Sequence, residues 1–166
     1  MKRNTKIIIQ LIFLIAASLF AAGCLEEPEK TSSIEDSCVV EVTALDQIDE
    51  ALLEGPVFLK LGSERCGPCR AMKPVMAEMA DKYEGNATVM FIDTDNSRHL
   101  ASYFGVAGIP DSCVIAGIED GKYLYMKQDG NVTTDRFRAR ILGLRDKEYF
   151  ESLLEQALLR EEGINE

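Results

Sequence analysis

From residue 39 onward the chain alternates between short apolar runs and stretches in which apolar residues recur every three or four positions. Val39, Val40 and Val42 suit a short strand. Thr43 then stands where a helix cap is expected, ahead of Leu45, Ile48 and Leu52 at helical spacing and a stop at Gly55. Pro56 opens Val57-Phe58-Leu59-Lys60-Leu61, an apolar run with a single charge in it, which reads as a central buried strand. After a turn at residues 62–65, Met72, Val75, Met76, Met79, Ala80 and Tyr83 mark one face of an amphipathic helix ending near Gly85. A strand at 88–92, a short helix at 97–104, a loop ending Gly108-Ile109-Pro110 and a strand at 112–115 follow. The alternating stretch 122–127, flanked by Asp120-Gly121 and Asp129-Gly130, predicts strands joined by tight turns, an extended hairpin at the sheet edge. Phe150, Leu153, Leu154, Ala157 and Leu158 then fall on one face of a last helix over 146–160. Alternating strands and helices imply an α/β layer architecture for residues 38–166.

The first 23 residues follow a different pattern. Lys2, Arg3 and Lys6 precede an uncharged stretch over residues 7–20, and Ala21-Ala22-Gly23 lead into Cys24. This reads as an export signal, shorter than the roughly 20 residues that span a bilayer comfortably. The Ala-Ala-Gly-Cys ending resembles a lipobox, in which Cys24 is acylated and becomes the new N-terminus; an uncleaved anchor and simple secretion are the competing readings. A diacylglyceryl thioether brings two acyl chains, about what stable anchoring requires. Residues 24–37, with Glu26, Glu27, Glu29 and Asp36 and few apolar residues, read as a flexible acidic tether. The folded part is therefore expected on the membrane surface, outside the cytoplasm.

Composition narrows the partners. The 166 residues carry 18 Lys+Arg against 28 Asp+Glu, a net charge of −10, and loss of residues 1–23 removes three cations and no acid. An acidic domain repels polyanions, so nucleic acid is excluded as a partner. Five Cys are too few for a disulfide-scaffolded miniprotein.

Cys66-Gly67-Pro68-Cys69 is where the chemistry concentrates, because it lies where the loop after a strand enters a helix. A thiol at a helix N-terminus meets unpaired backbone N–H groups and the positive end of the helix dipole, both of which favour the thiolate. Cys66 is thus the expected nucleophile. Cys69, three residues on, shares its face and can attack a mixed disulfide formed at Cys66, while Pro68 suits a first turn that needs no N–H. A bare CxxC also occurs as half of a zinc site or as a static disulfide. No second CxxC is present and His99, Cys38 and Cys113 are isolated in the sequence, so no metal is expected.

Together with Pro74, five residues after Cys69, and with Gly108-Ile109-Pro110, this tetrapeptide resembles the thioredoxin family over residues 39–160. The resemblance implies a thioredoxin-like fold, with a central mixed β-sheet flanked by helices. It also implies a cis-proline at Pro110 facing the disulfide, and protein substrates whose cysteine-bearing segments lie against Ile109, Pro110, Gly67 and Pro68. The implied activity is thiol-disulfide exchange with protein disulfides or thiols, without a cofactor; outside the cytoplasm a reductase needs a membrane redox partner and an oxidase needs re-oxidation, and a disulfide isomerase and a non-catalytic thioredoxin-like binding module are the alternative readings. Two residues depart from the family pattern. Arg65 stands where a tryptophan is usual, putting a cation beside Cys66 on the substrate-facing surface. Lys60 stands where a buried acid is usual; it is a candidate catalytic residue, either as an amine or as an ammonium holding the Cys69 thiolate, and a lysine whose stem merely runs along the strand end is the alternative. Cys113, in an apolar strand, reads as a buried free thiol, and the hairpin as decoration of an exposed edge or as a partner surface.

Overall fold

A computed structural model of the chain describes residues 39–164. The signal at 1–23, the acylation site Cys24, the tether at 24–37 and Cys38 lie outside the described residues. A mixed sheet is built around β2 (Val57–Gly62), every residue of which is buried. β3 (Thr88–Asp93) runs parallel to it on one side, with β1 (Val40–Glu41) parallel to β3 beyond. On the other side β4 (Asp111–Glu119), β5 (Lys122–Met126) and β6 (Val132–Thr133) continue antiparallel, and β7 (Ile141–Leu142) pairs with the first two residues of β4.

Period-two alternation sends neighbouring β2 residues to opposite faces. Val57, Leu59 and Leu61 pack with Ile48 of α1 (Asp46–Ala51), Leu100 of α4 (Arg98–Tyr103), Cys113 and the rings of Phe104, Tyr123 and Tyr125. Phe58 faces the other way, against the methionines of α3 (Lys73–Lys82) and the apolar face of α5 (Lys147–Ile164). Its ring lies 4.7 Å from that of Phe150, centroid to centroid. Lys60 and Gly62 share this second face.

Three local expectations change. The cap foreseen at Thr43 is not made: α1 starts later, behind Leu45, and the Gln47 side chain reaches back instead. Its Oε1 accepts from the Thr43 and Ala44 backbone N–H groups at 2.7 and 3.0 Å, satisfying two donors where one hydroxyl would satisfy fewer. The helix expected after the turn is two, α2 (Gly67–Ala71) and α3, meeting at Met72. Pro74 has no N–H to offer the Arg70 carbonyl one turn back, which ends the first ladder there.

The third change concerns the hairpin. β4 is longer than the 112–115 run because it pairs with β5 out to Glu119 and Lys122, and Asp120 (φ 51°) and Gly121 (φ 70°) close a two-residue turn that requires positive φ at both positions. The stretch beyond β5 does more than decorate an edge. Arg136, in a single 3-10 turn (Arg136–Arg138), inserts into the core, where Nη2 and Nη1 donate to Asp111 Oδ1 and Oδ2 at 2.8 and 3.2 Å and Nη1 also to the Phe104 carbonyl at 2.8 Å. Arg140 adds a longer contact to Asp111, 3.7 Å.

Candidate functional site

Cys66 occupies the cap position of α2 with extended backbone (φ −89°, ψ 118°). Its N–H donates to the Ser63 carbonyl at 3.1 Å and its own carbonyl accepts from Arg70 at 3.0 Å, so the loop delivers the sulfur to the helix start. Pro68 falls in the first turn, where a missing N–H costs nothing. Cys66 is half-buried and Cys69, one turn on, is buried; both are free thiols here. Across the site the Cys66 Sγ lies 3.9 Å from the Ile109 carbonyl oxygen, and the Ile109–Pro110 peptide is cis. Gly67 is exposed, with open space where a Cβ would stand.

Burial, aided by the contact with the Cys66 side chain, pushes the Cys69 thiol up to about 11, against opposing pulls from the Ser63 backbone and the Lys60 charge. Lys60 is 2% exposed. Its Nζ donates to the Cys69 carbonyl at 3.1 Å and sits 4.6 Å from the centre of the Phe91 ring. Burial lowers its pKa, and Cys69 opposes that shift. Gly62 explains how these groups fit: a Cβ there would stand 2.9 Å from the Cys69 Sγ and 3.2 Å from the Lys60 Cε, so only glycine leaves room. The lysine is therefore no snorkelling strand-end residue; its head group is inside, beside the second thiol.

Arg65 is compensated. Its guanidinium makes a fork onto Asp95, Nε to Oδ2 at 3.0 Å and Nη2 to Oδ1 at 2.8 Å, with 80% of the side chain exposed. Ser63 Oγ binds the same carboxylate and accepts from the Arg65 N–H, while the Asp95 N–H is tied to Asp93. Arg65 and Ser63 hold the Asp95 carboxyl below the usual range. What Cys66 has beside it is an ion pair rather than a bare cation.

Sequence reasoning did not find Asp95, nor the lip formed by Leu142, Gly143 and Leu144. Gly143 donates to the Pro110 carbonyl at 2.8 Å, and the two leucines are exposed alongside it. The only signal in the sequence was a glycine between two leucines. Cys113 is fully buried on the opposite face of the sheet, where burial pushes its thiol up despite the nearby Arg136. Among the described residues no group of three or more His, Cys, Asp or Glu side chains is placed to hold a metal ion. Two thiols one turn apart, one reachable and one buried, can close a disulfide at a helix start.

Comparison with known proteins agrees with this geometry. The Thioredoxin family model matches residues 39–142. Thioredoxin 1 of a Nostoc species is 37% identical over 62 residues, 37% of this chain and 58% of that one. The chloroplastic M-type thioredoxin of Zea mays is 38% identical over 66 residues, 40% of each chain. The chain thus spans about half the length of the curated relatives it matches. Among solved structures, a thioredoxin from Trichomonas vaginalis superposes with a TM-score of 0.57 at 19% identity, covering 72% of this chain and 97% of the other. A mutant thioredoxin from Halobacterium salinarum gives 0.54 at 24% identity, covering 72% and 90%. With its mixed sheet, its cysteine pair at a helix start and its facing cis-proline, the chain belongs to the thioredoxin family.

Proposed function

We propose that the protein is a membrane-tethered, extracytoplasmic thiol-disulfide oxidoreductase that acts on protein disulfides or thiols through Cys66 and Cys69. The observation that carries the chemistry is the half-buried Cys66 sulfur at the start of α2, 3.9 Å from the Ile109 carbonyl next to cis-Pro110, with buried Cys69 one turn behind. In the reducing direction the Cys66 thiolate attacks a substrate disulfide, one substrate sulfur leaves as thiolate, and Cys69 then attacks the Cys66 sulfur to release the other. Both electrons come from the two sulfurs, so no cofactor is needed. Exposed Leu142 and Leu144 beside Pro110 support a protein segment as substrate, since they offer apolar contact along an extended chain. The tether reading rests on the sequence of residues 1–37, and a location outside the cytoplasm implies a membrane partner that renews the pair.

Two experiments test this. Equilibration of the full chain, with Cys38 and Cys113 changed to Ser, in graded thiol-disulfide buffers reads the potential of the pair. A value below about −250 mV supports a reductase, one above about −180 mV an oxidase or isomerase, and no reversible transition overturns the activity. A radiolabelled fatty acid incorporated by the chain and lost in Cys24→Ser supports the anchor; no incorporation overturns it.

A further inference from the structure

We propose that residues 136–145, together with the cleft beside Phe137, form a docking surface for an acidic segment of the protein whose disulfide or thiol meets Cys66. The inference rests on the thiol-disulfide reading above and adds to it the kind of polypeptide the site selects.

The segment 136–145 holds four arginines and no carboxylate, in a chain with 28 acidic residues against 18 basic ones. Several cations elsewhere are matched by the chain's own acids: Lys73 with Glu64, Lys82 with Glu151, Lys127 with Asp129 and Lys147 with Glu78. Along 136–145 the matching is partial. Arg136 and Arg140 lean on buried Asp111. Arg138 and Arg145 are exposed, and neither forms an ion pair among the described residues. Arg145 is held without being neutralised, since Nη1 donates to the Leu144 carbonyl at 3.0 Å and the guanidinium carbon sits 6.0 Å from the centre of the Tyr149 ring. Asp135 and Asp146, the acids at the two ends of the segment, accept from the backbone N–H groups of Phe137 and Tyr149.

Position ties the segment to the redox site. The Phe137 ring lies on Gly105 (φ 62°), where a Cβ would stand 2.7 Å from the ring Cζ. At the other end Gly143 donates to the Pro110 carbonyl at 2.8 Å. The segment thus braces both ends of the 105–110 loop that carries the cis-proline.

Apolar groups stand beside the free cations. Phe137 is 60% exposed and Tyr103 57%, and both line a cleft of about 440 Å³ whose other walls include Thr134 and Tyr125. Exposed apolar surface rimmed by polar groups marks a contact with another molecule. A concave aromatic cleft suits one apolar side chain of a protein, whereas a bilayer is met by apolar groups that project into it. The excess of acid over the rest of the chain repels an acidic partner, so attraction is confined to the neighbourhood of Arg138 and Arg145, and the field turns such a partner toward Cys66.

The test uses the reduced full chain with Cys24, Cys38 and Cys113 changed to Ser. It is mixed with disulfide-linked peptide dimers in which the cysteine is flanked by several Glu and one Phe, and with twins carrying Gln for Glu or Ala for Phe; loss of the Cys66 and Cys69 thiols gives the rate. Bis(2-hydroxyethyl) disulfide, uncharged and too small to reach along the segment, reports the cysteine pair itself, and each peptide rate is divided by its rate. The acidic peptide is expected to react about tenfold faster than its Gln twin at low salt, the advantage fading toward about 1 M salt. Arg138→Gln combined with Arg145→Gln should remove most of that advantage, and Phe137→Ser should remove a preference of about fivefold for Phe over Ala. Equal rates for the acidic peptide and its Gln twin, or an advantage that survives the double arginine variant, overturn the proposal. Equal peptide rates together with a preference for phosphatidylglycerol over phosphatidylcholine vesicles that the double variant loses assign the segment to a lipid surface and overturn it as well. A parent protein that fails to reduce bis(2-hydroxyethyl) disulfide overturns the exchange reading itself, so the two failures are distinguishable.

Discussion

Replacing Asp111 by Asn isolates the buried charge cluster behind the cis-proline. Asp111 is fully buried and Arg136 is 6% exposed, and two of the three Arg136 bonds end on this carboxylate, with Arg140 close by. The asparagine amide turns N–H donors toward guanidinium donors and leaves buried cations without an anion. Breaking a buried pair by removing one partner costs about 3–5 kcal/mol. For a domain of this size that lowers Tm by roughly 10–20 °C, a large part of a typical stability. Chemical denaturation of Asp111→Asn, Arg136→Met and the double variant gives the coupling directly. The double variant is expected to cost clearly less than the two single costs combined, because it leaves no unpaired Asp111–Arg136 partner behind. Since the Pro110 carbonyl accepts from Gly143, faster hydrogen exchange at the Gly143 N–H should accompany the loss. A cost below about 1 kcal/mol for Asp111→Asn, or strict additivity, would refute the reasoning.

Gly62→Ala drives a methyl into the Cys69 sulfur and should destabilise the reduced protein by about 1–3 kcal/mol while slowing disulfide closure, both readable by denaturation and thiol release. Asp95→Asn frees Arg65 from its exposed fork, so the reaction of Cys66 with an anionic aromatic disulfide should quicken severalfold at low salt, and Arg65→Ala should cancel the gain; rates indifferent to salt would count against it. Burial raises the Cys69 pKa from an ordinary 9.0 to about 11 in the folded state. The folded thiol therefore keeps its proton in a range where the unfolded one loses it. The associated stability is fully present below pH 9 and drains away as pH climbs to about 11. Urea midpoints of the reduced protein at pH 8 and pH 10.5 should differ in that sense, with Cys69→Ser as the control that removes this contribution.

Much of this architecture could be read from spacing. The run at 57–61 announced a strand buried on both faces, the methionines announced a helix packed on one of them, and the cysteine pair at a strand-helix junction announced the site. What escaped was set by contacts between distant segments. Asp95 lies 30 residues from Arg65, and nothing local marks it as the partner. Arg136 sits in a stretch of polar, turn-rich sequence, so its insertion beside Asp111 shows only once β4 and the 3-10 turn are folded together. The Thr43 cap failed because local propensity favoured the hydroxyl, whereas Gln47 could satisfy two donors. Lys60 was legible as an odd charge in an apolar run, but its closeness to Cys69 depends on the vacancy at Gly62.

Cys113 also stands out when viewed across the sheet. It pairs with Leu59 and looks into the aromatic core, whereas Lys60, the next residue of the same strand, looks toward Cys69. A disulfide forms only when Cβ vectors point at one another over a short span. The sheet therefore works as insulation between a spare thiol and the reactive pair. Among the described residues the pair can pass through repeated cycles of oxidation without Cys113 being drawn into a disulfide with Cys66 or Cys69, and a sulfur that would compete on the other face is packing here.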